Sequence, residues 1–177
     1  MASTADRDAA RRREILEAAK TCFLKYGYGK TSLDDIAQEA KLSRPLLYRK
    51  FANKEAIFAA LYDDVCIAQL RAAAPVVAGK GTKAQKLLRI CELVCIEPYE
   101  LIREAPMAQE FWAACDLVIP EVLEDHDRKW RALLARVLPA ALVEVFALAI
   151  EGLYADMPSS AVYRKRVAVL VKQFTRS

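Results

Sequence analysis

The chain has 177 residues, of which 55% are hydrophobic and 28% charged, with a net charge of +4. That apolar content excludes a disordered chain, and the length suits one compact unit or a small head on a larger body. No run of about 18 uncharged apolar residues appears, and the polar start Met-Ala-Ser-Thr-Ala-Asp-Arg-Asp lacks the apolar core of a signal peptide, so a cytoplasmic protein without membrane spans is expected.

Only 5 glycines are present, while Ala, Leu, Glu, Lys and Arg are abundant, which predicts an all-α protein. Charge divides the chain. Residues 1–54 hold 12 Lys and Arg against 7 Asp and Glu, whereas the remainder holds 15 against 16. The whole positive excess lies in the N-terminal third, which points to a polyanion partner for a head spanning 1–54 and not for a body spanning 55–177. The 5 cysteines lack a framework spacing and read as reduced, buried thiols.

Residues 9–27 carry Ile15, Ala19, Cys22, Phe23 and Tyr26 on one stripe at helical period, ended by Gly27. Arg11, Arg12 and Arg13 would then occupy the first turns, the end where the helix dipole opposes cations. They are either a solvated face or a phosphate contact. Ser32 predicts an N-cap for a second helix with Asp34 and Asp35 in its first turn and Leu33, Ile36, Ala37 and Ala40 as its buried edge. Lys41-Leu42 makes a turn, and Ser43 is expected to cap a third helix with Pro45 in its first turn. Leu47 and Phe51, four apart, pack inward, leaving Arg44, Leu46, Arg49 and Lys50 largely outward. Two short helices across a tight turn, the second basic and outward, form the helix-turn-helix pattern.

Thr31-Ser32-Leu33-Asp34-Asp35-Ile36-Ala37, Leu42-Ser43-Arg44-Pro45-Leu46-Leu47-Tyr48-Arg49-Lys50-Phe51 and Asn53-Lys54-Glu55-Ala56-Ile57-Phe58 follow in that order. Together they resemble the N-terminal domain of TetR-family transcriptional regulators, from Ile15 to Leu61. The resemblance implies a DNA-binding head in which Thr31 and Ser32 meet a phosphate at a helix start. It implies that Arg44, Pro45 and Leu46 face base edges, that Tyr48 touches backbone or a thymine methyl, and that Arg49, Lys50 and Lys54 grip backbone. Arg44 is the candidate for a bidentate guanine contact, and Leu46, where the family commonly has a small or polar residue, for apolar contact with a thymine methyl. The family's turn commonly has glycine where this chain has Lys41. A left-handed non-glycine residue there would cost about 1 kcal/mol.

Asn53 predicts the cap of a fourth helix running to about Ala74, with Phe58, Leu61, Tyr62 and Val65 on one stripe, joining head to body as a lever. A break is expected from Pro75 to Gly81. Thr82 and Gln85 then form a capping box for a fifth helix with Leu87, Leu88, Cys91, Val94 and Cys95 inward, which Pro98 should kink or end. Pro106, Pro120, Pro139 and Pro158 cut the rest into helix-sized pieces. Between Pro139 and Tyr154, Leu142, Phe146, Ala149 and Leu153 share one face and Val143, Ala147, Ile150 and Tyr154 another, so the helix wants two partners. Ser159–Phe174 buries Tyr163, Val167, Leu170, Val171 and Phe174 and shows Val162 and Val169. Pairing of these two helices with their copies, through Leu142, Phe146, Ile150, Leu153, Val162 and Val169, is the expectation, and the resemblance also implies a homodimer. The alternative is a thicker monomer core.

The resemblance further implies a small-molecule effector site in the body. Tyr99, Phe111, Trp112, Cys115 and Trp130, lying near prolines that leave gaps, are either an apolar pocket or core aromatics. Catalysis has little support. The single histidine, His126, sits in the polar run Glu124-Asp125-His126-Asp127-Arg128 and reads as an exposed face, and no phosphate loop, serine elbow or zinc-binding pair of histidines appears. No cofactor or metal is expected. The leading function is a repressor that binds a palindromic DNA operator as a homodimer and is released by a small apolar or aromatic effector. Two alternatives remain: a cysteine-based redox-sensing regulator, using Cys91 and Cys95, and a helical effector-binding dimer without DNA binding.

Overall fold

A computed structural model describes residues 3–176. Its described residues form helices and connecting turns without strands, the all-α architecture expected: α1 Thr4–Tyr26, α2 Leu33–Glu39, α3 Arg44–Lys50, α4 Lys54–Ala78, α5 Lys83–Cys91, a π-helical turn Glu92–Ile96, α6 Glu97–Arg103, α7 Ala108–Val118, α8 Pro120–Leu134, α9 Ala140–Gly152 and α10 Ser160–Phe174. No described helix is long and apolar enough to cross a membrane. Contacts divide the chain into two compact units, one built from the chain up to Asp64 with Ala105–Leu123, the other from Val65–Glu104 with Glu124 onward.

In the first unit, α1 starts earlier than its apolar stripe. Ser3 and Asp6 cap each other's backbone N–H in a reciprocal box, so the helix begins at Thr4 and Arg11–Arg13 lie beyond its first turn. The stripe marks where α1 is buried, and capping decides where it begins. Ile15, Ala19, Cys22 and Phe23 are buried as expected, but Tyr26 is 45% exposed, with Lys25 over its ring. Ser32 caps α2 in a second reciprocal box, closed by Asp35. α2 ends in a Schellman turn: Leu42 N–H donates to Ala37 O at 2.9 Å, Lys41 N–H donates to Gln38 O at 3.0 Å, and Lys41 takes the left-handed φ of 54°. The lysine therefore adopts the conformation that glycine fills at lower cost. Ser43 occupies the N-cap position of α3 without a side-chain capping bond, contrary to expectation, while Pro45 lies in the first turn and Leu47 and Phe51 are buried.

Asn53 Oδ1 caps α4 by accepting from Ala56 N–H at 2.8 Å. Phe58 and Leu61 are buried as expected, with Ile57, Cys66 and Ala73 in place of Tyr62 and Val65. The helix also continues through Pro75 to Ala78, because a proline one turn from the end forfeits a single backbone hydrogen bond at an exposed site. Phe58 is the hub of the first unit's core, with Phe23, Tyr28 and Phe111 ring centroids 5.2, 4.9 and 5.2 Å away.

In the second unit, Thr82 and Gln85 form the expected box at the start of α5. Pro98 neither ends nor breaks the run. The preceding turn widens to a π-turn, closed by Glu97 N–H donating to Glu92 O, and α6 resumes with Pro98 in its first turn. The widening keeps the proline ring off the carbonyl one turn back. α10 packs on α5, α6 and α9, with the Tyr163 ring tilted against Tyr99 at 4.6 Å and Phe174 5.1 Å from Phe146. Tyr99 OH at 2.5 Å and Arg103 Nε at 2.7 Å both donate to Pro158 O, and Arg166 donates to Leu153 O and Asp156, tying the start of α10 to α6 and its middle to the end of α9.

Candidate nucleic-acid interface

The exposed side of α3 carries Arg44, Pro45, Tyr48 and Arg49, with Tyr48 52% exposed. Leu47 and the following Phe51 anchor the opposite side in the first unit's core. Leu46 is half-buried. Lys50 is half-buried too and turns toward α1, where its Nζ lies 2.8 Å from Asp8 Oδ1. That lysine and the nearby Arg49 hold the Asp8 carboxyl below its ordinary pKa. At the other end of the helix, Arg44 Nε lies 2.8 Å from Asp34 Oδ1. Asp8, Ala9, Arg12, Lys50 and Phe51 line a groove of about 280 Å³ beside the end of α3.

The residues below α3 are more committed than the sequence reading allowed. Thr31 is 2% exposed and its hydroxyl donates to Gly27 O at 2.7 Å, so its side chain holds the α1–α2 turn and is not offered to a phosphate. Ser32 is exposed, but its hydroxyl donates to Asp35 Oδ2 and accepts from Asp35 N–H. Lys54 Nζ donates to Tyr28 O at 2.7 Å and Thr31 O at 2.9 Å and sits 4.3 Å from the Tyr28 ring centroid. It clamps the turn, with one ammonium proton left for another acceptor. Burial, with the Glu55 carboxylate that accepts its proton, pushes the Tyr28 hydroxyl pKa up to about 12.

Glu110 belongs to no motif of the sequence. From α7 its Oε1 accepts the Gly29 N–H at 2.7 Å, and a side chain at Gly27, whose φ is 89°, would collide with the same carboxylate. Met107 N–H also donates to Leu24 O at 3.1 Å. A contact across 81 residues leaves no periodic trace in sequence. The only local signal was two glycines flanking Tyr28.

The proposed effector residues are not gathered within either unit. Phe111, Trp112 and Cys115 belong to the first, with Phe111 packed on Phe58, while Tyr99 and Trp130 are buried in the second. Of the proposed dimer residues, Val162 and Val169 are 42% and 52% exposed, Leu142 and Leu153 are half-buried, and Phe146 and Ile150 fill the second unit's own core. The apolar side chains that α9 leaves out are Val145 and Leu148, each 54% exposed. His126 is half-buried, not exposed, and desolvation lowers its pKa below the usual 6.5. Cys22, Cys66, Cys91 and Cys115 are buried and Cys95 is half-buried. Burial holds the Cys91 thiol well above the ordinary range, the opposite of the activation a reactive thiolate needs.

An all-helical protein with a basic, solvent-facing helix on a helix-turn-helix is the class that these elements define. Residues 15–61 match the profile of bacterial regulatory proteins of the tetR family. A helix-turn-helix transcriptional repressor from Mycobacterium tuberculosis is 43% identical over 56 residues, covering 32% of this chain and 30% of that protein. Such relatives are matched through the head alone, over less than a third of their own length. A structure described as a TetR-family regulator from Mesorhizobium loti superposes with a TM-score of 0.67 at 18% identity, covering 95% of this chain and 96% of that one. SmeT, the repressor of the Stenotrophomonas maltophilia efflux pump SmeDEF, gives 0.71 at 18% identity over 92% and 87%, and has also been solved with triclosan. The match to the tetR family profile is confined to the head, residues 15–61, and the chain shares the fold of these structures.

Proposed function

We propose that the protein is a DNA-binding transcriptional regulator, acting as a repressor, whose homodimer reads a palindromic operator through α3. The observation that carries this reading is the solvent-facing row Arg44, Pro45, Tyr48 and Arg49 on a helix whose other side is locked by Leu47 and Phe51. Arg44, Pro45 and Leu46 read bases. Tyr48, Arg49, Lys50 and the remaining proton of Lys54 meet the phosphates.

Division of labour falls after residue 54, with 1–54 as the DNA-binding domain and 55–177 holding the effector and the partner subunit. Val145, Leu148, Val162 and Val169 supply the apolar surface for the second copy, and the two-fold axis sets half-sites roughly 34–36 Å, or a multiple of that, apart. Effector release by a small apolar or aromatic molecule is supported by the fold shared with SmeT, which binds triclosan.

Selection of bound duplexes from random DNA tests the reading. A palindrome with that spacing and an affinity falling steeply with salt is the expected result. Binding with neither sequence preference nor salt dependence would reject it.

A further inference from the structure

Arg44, the base-reading arginine of the proposed function, does not stand free. Its Nε lies 2.8 Å from Oδ1 of Asp34, in the first turn of the neighbouring helix α2. The guanidinium carries five N–H donors, and a contact through Nε leaves both terminal nitrogens open. Those two nitrogens match the paired acceptors O6 and N7 of guanine. Arg44 is 68% exposed, so its reach into solvent is not hindered.

The acceptor beneath it carries a second signal. Asp34 Oδ1 is sealed from solvent yet accepts no aligned hydrogen bond among the described residues, so the 2.8 Å contact is a charge pair out of line. A buried carboxylate oxygen without an aligned donor needs an explanation. Stability does not supply one, since exposed ion pairs contribute little. Nor does capping, because Asp35 closes the α2 box with Ser32 and leaves Asp34 outside it.

We propose that Asp34 is a positioning residue that sets base specificity by holding Arg44 through Nε with both terminal nitrogens presented to a guanine. As those nitrogens engage the base, the Nε–H turns into line with Oδ1 and satisfies it. On a sequence without the guanine, the same carboxylate keeps Arg44 from seizing a phosphate and repels the backbone. The inference rests on the DNA-binding reading above.

Lys50 and Asp8 form the natural control. They make a pair of the same 2.8 Å length at the other end of α3, but on a lysine assigned to the backbone. Removing Asp8 frees a cation without disturbing base reading.

The test compares two duplexes of equal length, the tightest one recovered by selection from random DNA and one of random sequence. Asp34→Ala weakens the first by about tenfold, the size of one bidentate base contact, and tightens the second by a few fold, so the specificity ratio falls at least tenfold. Asp34→Asn, which keeps an oxygen acceptor, retains part of the ratio. In an Arg44→Ala background, Asp34→Ala changes the ratio no further, as a coupled pair requires. Asp8→Ala tightens both duplexes alike and leaves the ratio unchanged. Circular dichroism and melting of each variant separate these effects from loss of fold. An unchanged ratio in Asp34→Ala, or a loss that persists without Arg44, would overturn the inference and leave the DNA-binding reading intact. Wild-type protein that binds neither duplex in a salt-dependent way would instead overturn that reading itself.

Discussion

The two units solve opposite surface problems. Around α3 in the first unit, nearly every polar side chain has a structural partner: Thr31 on Gly27, Ser32 on Asp35, Lys54 on two carbonyls, Glu110 on Gly29. What stays exposed there is cationic and aromatic. In the second unit Tyr99 and Arg103 take the carbonyl of Pro158 and Arg166 that of Leu153, and α9 and α10 leave Val145, Leu148, Val162 and Val169 outside. One exposed face carries cations and an aromatic ring, the other aliphatic side chains. The difference also shows that a residue's place in a motif does not decide its role: Thr31 and Lys54 lie where phosphate contacts were expected, and both are first of all parts of the scaffold.

The contrast can be broken at either unit. Phe58→Ala removes the hub of the first unit's core and should cost about 3–5 kcal/mol in denaturant unfolding, abolishing DNA binding with it. Leu148→Glu puts a charge in the proposed subunit interface and should weaken dimerisation roughly a hundredfold by sedimentation, with the helical content unchanged. A dimer that survives this substitution would move the interface elsewhere. Lys54→Ala loses two charge-assisted hydrogen bonds and should lower stability by about 1.5–3 kcal/mol, weakening all DNA sequences in proportion. Loss of DNA affinity with no change in melting would show that the lysine serves phosphate alone. The smallest effect is expected at Lys41→Gly, where relief of the left-handed backbone should raise stability by up to about 1 kcal/mol.

Legibility followed the range of the interactions. The helices of the head are readable because the Ser32 cap, the Leu47–Phe51 spacing and the Lys41 turn act over a few residues, and motif order carries the family resemblance. The start of α1 was misplaced because the Ser3–Asp6 box lies outside the apolar stripe. Pro75 and Pro98 stopped no helix, since an exposed final turn and a π-turn absorbed them. In sequence Asp34 is a dipole partner of its own helix, and its contact with Arg44 depends on how α2 and α3 pack. Glu110 and the inward placement of Phe146 and Ile150 likewise depend on packing between segments far apart in sequence, which periodicity does not encode.

We propose that α3 reads bases through its first turn. It is tested most directly by measuring base preference across the selected half-site for wild type and Arg44→Ala. The variant should lose preference at one guanine in each half-site, by roughly 1–3 kcal/mol, and keep it at the other positions. An unchanged preference profile with lower affinity for every sequence would make Arg44 a backbone contact and contradict the account.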